Sequence, residues 1–421
     1  MPKRNAMQSE HTKFPPNKII ITDLPCGSGK TSKMIRTLKP DKRYLIVVPL
    51  LTEVKRVLAG TSHLDVAEPV ITITQAGTKR AALLELIAQG KSIITTHQLY
   101  SDIGQLAAEG FLKNYNVIID EVPGVINVVK TLSKRSVDEF YVSSGYLDVS
   151  EGGLCTVTPK WDSLFDVVSD TLDPRIKQYA QARNLYVCKQ GTFFTAVSKV
   201  LFSGCASMEV LTYKSKGSYF LKYLEKVNLP YQLEIDNELE ADFRKKALKL
   251  ITFADAKALE KVNFTYSKQT KYSEQSKETQ IVRSGLKNWR ARHLKGVPLE
   301  NVMVTCAEAN WRDSKAFKSG TLQLRGFAKT TGLGKVHWVA NQMRGTNDYS
   351  HCSHLVYLYD KHPMPPITQW LGCPTKEFSD AYGLTELIQW IWRSRIRNRQ
   401  PVTLYIPSPR MKRLLLDWLN S

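Results

Sequence analysis

Residues 24–31 have the amino-acid types and spacing of a loop that binds the phosphates of a nucleotide. Glycines at positions 27 and 29 precede Lys30 and Thr31, and a β-branched run at residues 19–22 comes just before the loop. Glycines let backbone N–H groups turn towards phosphates, and the next helix presents the positive end of its dipole. Lys30 would reach the β- and γ-phosphates, and Thr31 would ligate Mg²⁺. The residues predicted to bind the nucleotide are Cys26, Gly27, Ser28, Gly29, Lys30 and Thr31.

Leu24 departs from the general G-x-x-x-x-G-K-[ST] pattern, which has a further glycine at that position. The alternative to a phosphate site is a Gly-Ser-Gly turn that joins a strand to a helix and binds nothing. The coincidence of two glycines, Lys30 and Thr31 behind a strand favours the phosphate site.

An acidic pair, Asp120 and Glu121, directly follows the apolar run at residues 117–119. At the end of a strand near a phosphate loop, Asp120 would hold the Mg²⁺ ion, and Glu121 would orient and deprotonate the water that attacks the γ-phosphate. The alternative is a pair of surface carboxylates that cap a strand. With the phosphate loop upstream, the pair predicts hydrolysis of a nucleoside triphosphate.

Gln389, Arg393 and Arg397 recur at steps of four residues near the end of the chain. On a helix this spacing places them on one face, with Arg395 and Arg399 on the opposite side. The face would be a solvated basic surface, a grip on nucleic-acid phosphates, or the source of a guanidinium that stabilises the γ-phosphate in the transition state. Together with the two preceding motifs, the spacing favours the last of these, an arginine finger.

Alternating strands and helices must position these residues. Helices are expected over residues 52–60 and 79–88, and apolar runs predict strands at residues 44–50, 70–74 and 92–100. This order predicts an α/β domain with a doubly wound parallel sheet that binds its ligand at the carboxyl ends of the strands.

A later strand is expected at residues 200–202, followed by the small residues 203–207. These small residues would either sense the γ-phosphate or form a plain turn. Strands are also expected at residues 249–254, 301–306 and 355–359. We therefore predict two such domains in tandem, at residues 18–212 and 213–421, after a flexible lead-in at residues 1–17. Residues 130–190 would be either an insertion that serves as a wedge or clamp, or simply the tail of the first domain.

The charge balance predicts a polyanionic partner. The chain has 59 lysines and arginines against 39 acidic residues, a formal net charge of +20. Nucleic acid is favoured over a membrane surface. No apolar run reaches the roughly 18 residues that a membrane span needs. The seven cysteines form no C-x-x-C pair. These features predict a cytoplasmic protein.

The segment His351-Cys352-Ser353-His354 contains side chains that can bind a metal. If this segment enters a strand, alternation sends His351 and Ser353 to one face and Cys352 and His354 to the other. A zinc site is therefore not predicted here.

The motifs together resemble superfamily 2 helicases, in particular the compact phage-encoded type. The matching segments occur in the order of that family at residues 24–31, 47–57, 93–100, 118–124, 201–207, 343–351 and 389–399. The last of these lacks the glycines of the family pattern, which leaves open whether Arg393, Arg395 or Arg397 is the finger.

The resemblance implies two RecA-like domains with ATP and Mg²⁺ in the cleft between them and a single strand of nucleic acid lying across both. It also implies which residues touch the nucleic-acid backbone: Pro49, Thr95, Thr96 and His97 in the first domain, and Thr346 and Asn347 in the second.

The expected function is that of an ATP-dependent DNA helicase or translocase that moves along single-stranded or forked DNA. Replication or recombination proteins are its candidate partners, and the host cytoplasm is its location if a phage encodes it. RNA stays open as the track, because contacts to phosphates do not separate the two polymers. The alternative from another class is an annealing or scaffolding protein with a vestigial ATPase.

Overall fold

The computed structural model describes residues 19–71, 77–163, 172–343, 345 and 347–421. The predicted lead-in at residues 1–17 and the predicted contact Thr346 lie outside these residues. Two compact units divide the chain. The first unit consists of the described residues within Met1–Thr22, Thr31–Leu211 and Lys222–Glu234, and the second of those within Asp23–Lys30, Thr212–Leu221 and Ile235–Ser421.

Strands and helices alternate in the first part of the chain, as the sequence predicts. In chain order the elements are β1 (Ile19–Asp23), α1 (Lys30–Thr37), β2 (Tyr44–Val48), α2 (Leu51–Gly60), β3 (Val66–Ala67), α3 (Lys79–Ala88), β4 (Ser92–Thr96), α4 (His97–Ser101), α5 (Gly104–Ala108) and β5 (Asn116–Asp120). The predicted strand at residues 70–74 extends beyond the described residues, and the short strand β3 precedes it.

A smaller antiparallel region follows β5 and leads back to the main sheet. Its elements and those after it are β6 (Ile126–Thr131), α6 (Lys134–Val137), β7 (Leu147–Val149), β8 (Cys155–Val157), α7 (Pro159–Asp162), α8 (Pro174–Gln181), β9 (Leu185–Val187), β10 (Thr192–Ala196), α9 (Val200–Ser203), β11 (Ser207–Thr212), α10 (Tyr219–Lys226) and β12 (Tyr231–Ile235).

The remaining elements belong to the second unit. They are α11 (Asn237–Leu250), β13 (Ile251–Phe253), α12 (Tyr266–Gln269), α13 (Lys277–His293), β14 (Val302–Thr305), α14 (Ser314–Lys318), β15 (His337–Trp338), β16 (His354–Tyr357), α15 (Pro365–Leu371), α16 (Lys376–Ile391), β17 (Val402–Tyr405) and α17 (Pro409–Asn420).

The main sheet of the first unit has the strand order β12-β1-β11-β5-β2-β4-β3, and β11, β5, β2, β4 and β3 pair in parallel. All five residues of β2 are buried, which explains its continuous apolar sequence. The second unit has a parallel sheet of order β13-β17-β16-β14-β15. The chain is thus an α/β protein with a parallel sheet in each unit.

Residues 126–196 build their own small sheet, β6-β10-β9, and the hairpin β7-β8. The aromatic residues Tyr141, Trp161 and Phe193 are buried in a separate core there. Tyr141 contacts the other two rings at centroid distances of 5.8 and 5.3 Å. The predicted insertion at residues 130–190 therefore falls within a region that has its own sheet and core.

The predicted strand at residues 200–202 is wrong, because these residues lie in helix α9. A run of three apolar residues is too short to distinguish a helix from a strand. The strand is β11, which begins at Ser207, so the small residues 203–207 lie at the start of a strand and do not follow a strand end. The carboxyl end of β11, where a phosphate sensor would lie, is at Thr212.

Within the part of the chain that the structure describes, none of the helices combines the length and the apolar character that a bilayer crossing requires.

Candidate functional site

The loop between β1 and α1 has the backbone of a phosphate loop. Gly27 and Gly29 have φ angles of 76° and 81°, in the left-handed region that favours glycine. Among the described residues, nothing lies within 4 Å of where a Cβ would stand at either position. Both glycines are therefore required by the backbone conformation and not by lack of space.

Lys30 folds back over the loop that it closes. Its Nζ donates hydrogen bonds to the carbonyl oxygens of Leu24, at 2.7 Å, and Pro25, at 3.0 Å. The ammonium group is thus fixed above the glycine-rich turn, where its charge attracts the phosphates of a nucleotide.

Thr31 and Asp120 meet within the first unit. The Thr31 hydroxyl donates to Asp120 Oδ2 at 2.8 Å, and the Asp120 carboxylate is buried at the end of β5. Hydroxyl and carboxylate oxygens are the donors that Mg²⁺ takes in nucleotide sites. The pair therefore fits a magnesium ion, which would neutralise phosphate charge when bound.

Glu121 follows Asp120 in a strained conformation. Its φ is 67°, which is uncommon for a residue with a side chain. Its backbone N–H donates to the carbonyl oxygen of Leu211 at 2.8 Å, which ties it to the neighbouring strand β11. Strain of this kind is retained where the surrounding structure holds it, often at functional sites.

His97 also contacts this acidic segment. Its Nε2 donates to the backbone oxygen of Asp120 at 2.8 Å. Of the other residues predicted to touch nucleic acid in the first unit, Thr95 is 3% exposed, Thr96 caps α4 through the Leu99 N–H, and Pro49 is half-buried. The structure thus directs His97 towards the acidic pair and leaves Thr95 little surface for a ligand.

Asp23 joins the phosphate loop to the segment that follows β11. Its carboxylate accepts hydrogen bonds from the backbone N–H groups of Lys214, at 2.7 Å, and Ser215, at 2.8 Å, and from the Ser215 hydroxyl at 2.6 Å. Lys214 has a φ of 58°, so these bonds hold a strained residue. The Leu24 N–H donates to the Thr212 carbonyl oxygen at 3.0 Å beside them.

Glu240 of α11 collects donors from the same segment. Its Oε1 accepts from the Tyr213 hydroxyl at 3.1 Å and from Trp418 Nε1 at 3.1 Å, and it lies 3.0 Å from Lys214 Nζ. Burial, and then the charge of Glu240, raise the pKa of Tyr213. The phenol is therefore a neutral donor that fixes the end of β11 to α11.

The predicted arginine face is not one helix face. Helix α16 ends at Ile391, and residues Arg395–Asn398 form a separate 3₁₀ turn. The Ser394 hydroxyl donates to the Ile391 carbonyl oxygen at 2.7 Å, and Ser394 is extended, with a ψ of −175°. This local bond competes with the helix and ends it. The prediction that one helix carries Gln389, Arg393 and Arg397 is therefore wrong.

The arginines and Gln389 have separate environments. Gln389 is buried and its Nε2 donates to the Tyr213 carbonyl oxygen at 3.2 Å, while Arg393 is 6% exposed. Arg395 Nε donates to the Pro401 carbonyl oxygen at 2.6 Å. Arg397 donates to Oδ1 of Asn347, the exposed residue predicted to bind nucleic acid.

A cavity in the second unit brings Arg397 and Arg399 to the phosphate loop. It encloses about 610 Å³ of empty space, a value that includes its open side. The lining residues are Pro25, Cys26, Gly27, Ser28, Leu239, Asp242, Phe243, Lys246, Ala247, Leu250, Trp392, Ile396, Arg397 and Arg399. The Phe243 and Trp392 rings lie 4.6 Å apart. The cavity thus combines backbone N–H groups, two arginines and aromatic rings.

His351 and Cys352 lie together, contrary to the prediction that their side chains diverge. Strand β16 begins only at His354, so strand alternation does not apply to them. One potential metal-binding atom from each of His337, His351 and Cys352 lies within 4.8 Å of the other two. The Glu300 carbonyl oxygen accepts from His351 Nε2 at 3.0 Å and from the Cys352 thiol at 3.6 Å. Burial raises the pKa of the Cys352 thiol to about 12, and His337, His351 and Cys352 together form a group that could hold a metal ion.

Comparison with known proteins adds a relative. Residues 245–419 match the model of the YonV C-terminal Rossmann-like domain. Over 427 residues the chain is 26% identical to the SPbeta prophage-derived uncharacterized protein YonV of Bacillus subtilis strain 168, with 96% of this chain and 99% of that protein covered.

Solved structures share the fold. An apo structure of XPD matches 95% of this chain and 96% of its own, with a TM-score of 0.50 at 14% identity. The chain thus has an α/β fold of two RecA-like domains. The S. tokodaii Xpd4 structure matches 95% of this chain and 94% of its own, with a TM-score of 0.46 at 12% identity.

Within these RecA-like domains, the sequence missed the segment Tyr213-Lys214-Ser215 and the helix α11. The apolar run that forms β11 ends just before Tyr213, and this end was the signal that could have located the segment. Helix α11 contributes to the cavity through contacts distant in sequence, which no local pattern indicates.

Proposed function

We propose that the protein is an ATP-dependent DNA helicase or translocase that hydrolyses ATP to move along single-stranded nucleic acid. The observation that carries the proposal is the hydrogen bond of 2.8 Å from Thr31 to Asp120. In the sequence, Thr31 directly follows the loop, which has two left-handed glycines and is closed by Lys30. Such a grouping binds a nucleoside triphosphate with Mg²⁺.

In the proposed reaction, Lys30 and the loop N–H groups bind the phosphates, and Thr31 and Asp120 hold Mg²⁺. Glu121 accepts a proton from the water that attacks the γ-phosphate. Arg397 is the proposed arginine finger, since it and Arg399 line the cavity that the loop also lines. Gln389 and Arg393, both buried, remain proposed members of this machinery.

The charge distribution supports a nucleic-acid track. Residues 235–421 contain 30 lysines and arginines against 17 acidic residues, so most of the excess charge lies there. Contacts to phosphates give affinity without sequence preference, which suits a motor. We propose DNA as the track for two reasons: the chain resembles helicases, and its relative YonV comes from a prophage.

The deciding experiment measures ATP hydrolysis by the purified protein with no nucleic acid, with single-stranded DNA and with RNA, each at two salt concentrations. Lys30→Ala and Glu121→Gln should abolish hydrolysis. Lys33→Ala and Glu85→Gln are matched controls at exposed positions of α1 and α3, and should leave it unchanged.

Stimulation by DNA that weakens with salt supports the proposal, because phosphate contacts release counterions. Stimulation by RNA alone would instead assign an RNA helicase. Binding of nucleic acid without any hydrolysis would overturn the motor and leave an annealing or scaffolding protein. Forked DNA with a labelled strand then separates a helicase from a translocase that does not unwind.

A further inference from the structure

A basic arm projects from the sheet of the second unit between β14 and β15. We define the arm as residues 311–325. Its base is held by backbone bonds from Asp313 N–H to the Gln323 carbonyl oxygen and from Arg325 N–H to the Trp311 carbonyl oxygen, both at 2.9 Å. Trp311 is buried beneath it. The arm is thus a defined hairpin whose tip carries the short helix α14.

The tip of the arm exposes apolar and basic side chains together. Phe317 is 45% exposed and Leu322 is 50% exposed. Lys315 and Lys318 are exposed on either side of Phe317. A large aromatic ring in solvent between two lysines is the composition of a surface that binds single-stranded nucleic acid.

The ring of Phe317 belongs to a stack. The guanidinium carbon of Arg312 lies 3.5 Å from the Phe317 ring centroid and 4.7 Å from that of Trp338. Arg312 Nε donates to Glu308 at 2.9 Å, and Trp338 Nε1 donates to the Cys306 carbonyl oxygen at 3.1 Å. Both inner members of the stack are thus fixed, and Phe317 is the outer one.

The stack lies next to the segment that the resemblance assigns to nucleic acid. Strands β14 and β15 are parallel, and Trp338 ends β15 in register with Val304. The ring centroid of Tyr349 lies 5.4 Å from that of His337, the residue before Trp338 in β15. Tyr349 is close in sequence to Asn347, the exposed residue that contacts Arg397. The stack of the arm therefore lies near the segment that contains Asn347.

We propose that Phe317, backed by Arg312 and Trp338, stacks on an unpaired base of single-stranded nucleic acid, with Lys315 and Lys318 beside its phosphates. The assignment rests on the proposed function for the identity of the ligand. It adds a base contact to a motor that otherwise grips phosphates, and stacking of this kind is tolerant of sequence because every base has a π-face.

The test compares an oligothymidylate of about fifteen nucleotides, within the usual range of single-strand site sizes, with an abasic oligomer of equal length. Binding of the full-length protein is measured by fluorescence anisotropy. Phe317→Ala should weaken binding of the oligothymidylate by about five- to thirtyfold and leave the abasic oligomer unaffected. Phe317→Trp should restore binding. Phe111→Ala is the matched control, since Phe111 is also 45% exposed but lies in the first unit.

A second variant tests the lysines. Lys315→Gln with Lys318→Gln should weaken binding of both oligomers and lower the slope of log affinity against log salt by about 1.4, for two phosphates lost on a single strand. Equal weakening of both oligomers by Phe317→Ala would overturn base stacking, and so would unchanged affinity.

Failure of the arm and failure of the motor give different results. If the protein binds oligothymidylate through Phe317 but hydrolyses no ATP, the proposal of an ATP-driven motor is overturned and the proposed base contact of Phe317 is supported. If DNA stimulates ATP hydrolysis but Phe317→Ala does not change the affinity for oligothymidylate, the proposed base contact is overturned and the motor is supported. If the wild-type protein binds neither oligomer, the stack is overturned as well. Capture of a protein partner by the exposed Phe317 would also contradict the base contact if oligomer binding is unchanged.

Discussion

The Asp23 carboxylate accepts a hydrogen bond from the Ser215 hydroxyl at 2.6 Å and so joins the last residue of β1, directly before the phosphate loop, to the segment after β11. Two backbone N–H groups donate to the same carboxylate. Asp23 is therefore the residue through which the loop and the end of β11 are held together.

Asp23→Asn should destabilise the protein. An amide offers one acceptor oxygen where the carboxylate offers two charged ones, so the free energy of unfolding should fall by about 1.5–3 kcal/mol. Urea unfolding followed by circular dichroism measures this. The control is Asp41→Asn, at an exposed position after α1. Equal midpoints for Asp23→Asn and the wild type would contradict a supporting role for this carboxylate.

Thr31→Val should impair the use of Mg²⁺. Valine keeps the shape but lacks the hydroxyl oxygen, so the Mg²⁺ concentration for half-maximal hydrolysis should rise at least about tenfold. Thr31→Ser keeps the oxygen and should stay close to the wild type. A Mg²⁺ titration of ATP hydrolysis measures all three proteins, and loss of activity in both variants would point to a steric cause.

Arg397→Ala should slow the chemical step. If Arg397 stabilises the γ-phosphate in the transition state, kcat should fall by about 10³-fold or more while the KM for ATP changes little. Arg395→Ala is the matched control, because Arg395 bonds to the Pro401 carbonyl oxygen in the same turn. Asn347→Ala should lower kcat by a smaller factor than Arg397→Ala does. An equal fall in kcat would show that Arg397 acts through Asn347.

His97→Ala separates two roles. The structure directs His97 to the Asp120 backbone, so basal hydrolysis without nucleic acid should fall more than the affinity for single-stranded DNA. The rate of basal ATP hydrolysis and the affinity for single-stranded DNA, from fluorescence anisotropy, are measured on the same preparation and their losses are compared. A variant with normal basal hydrolysis and weak DNA binding would support the contact that the helicase resemblance implies.

Asp360 should contribute to acid sensitivity. Burial raises its pKa, but hydrogen bonds from His362 and Arg410 outweigh burial and hold the pKa of Asp360 below its ordinary value. A carboxyl with a depressed pKa stabilises the fold above the unfolded pKa of about 3.9, and this stability is lost as pH falls through the folded pKa. Asp360→Asn should therefore lower the free energy of unfolding by about 1–3 kcal/mol at pH 7.

The measurement is urea unfolding of the wild type and Asp360→Asn at pH 7 and well below pH 4. The two proteins should differ at pH 7 and converge in acid. A difference that persists in acid would assign the effect to packing instead of charge.

Strong local signals explain what the sequence predicted well. Helix α3 has the predicted bounds, and the phosphate loop and Asp120 follow strands as expected, because glycines and continuous apolar runs act within a few residues. The break after Ile391 was not predictable from spacing, since Ser394 ends the helix through its own hydroxyl. The cavity was missed because Phe243 and Trp392 meet across distant parts of the chain.

The small sheet of residues 126–196 begins and ends at one point. Ile126 pairs with Ala196, and the Val197 N–H donates to the Val125 carbonyl oxygen at 3.0 Å. Strands β5 and β11, on either side of it in sequence, are direct neighbours in the main sheet. The two chain ends of this region are thus paired with each other where they join the main sheet. The length and surface of the region can therefore change without altering the register of β5 and β11.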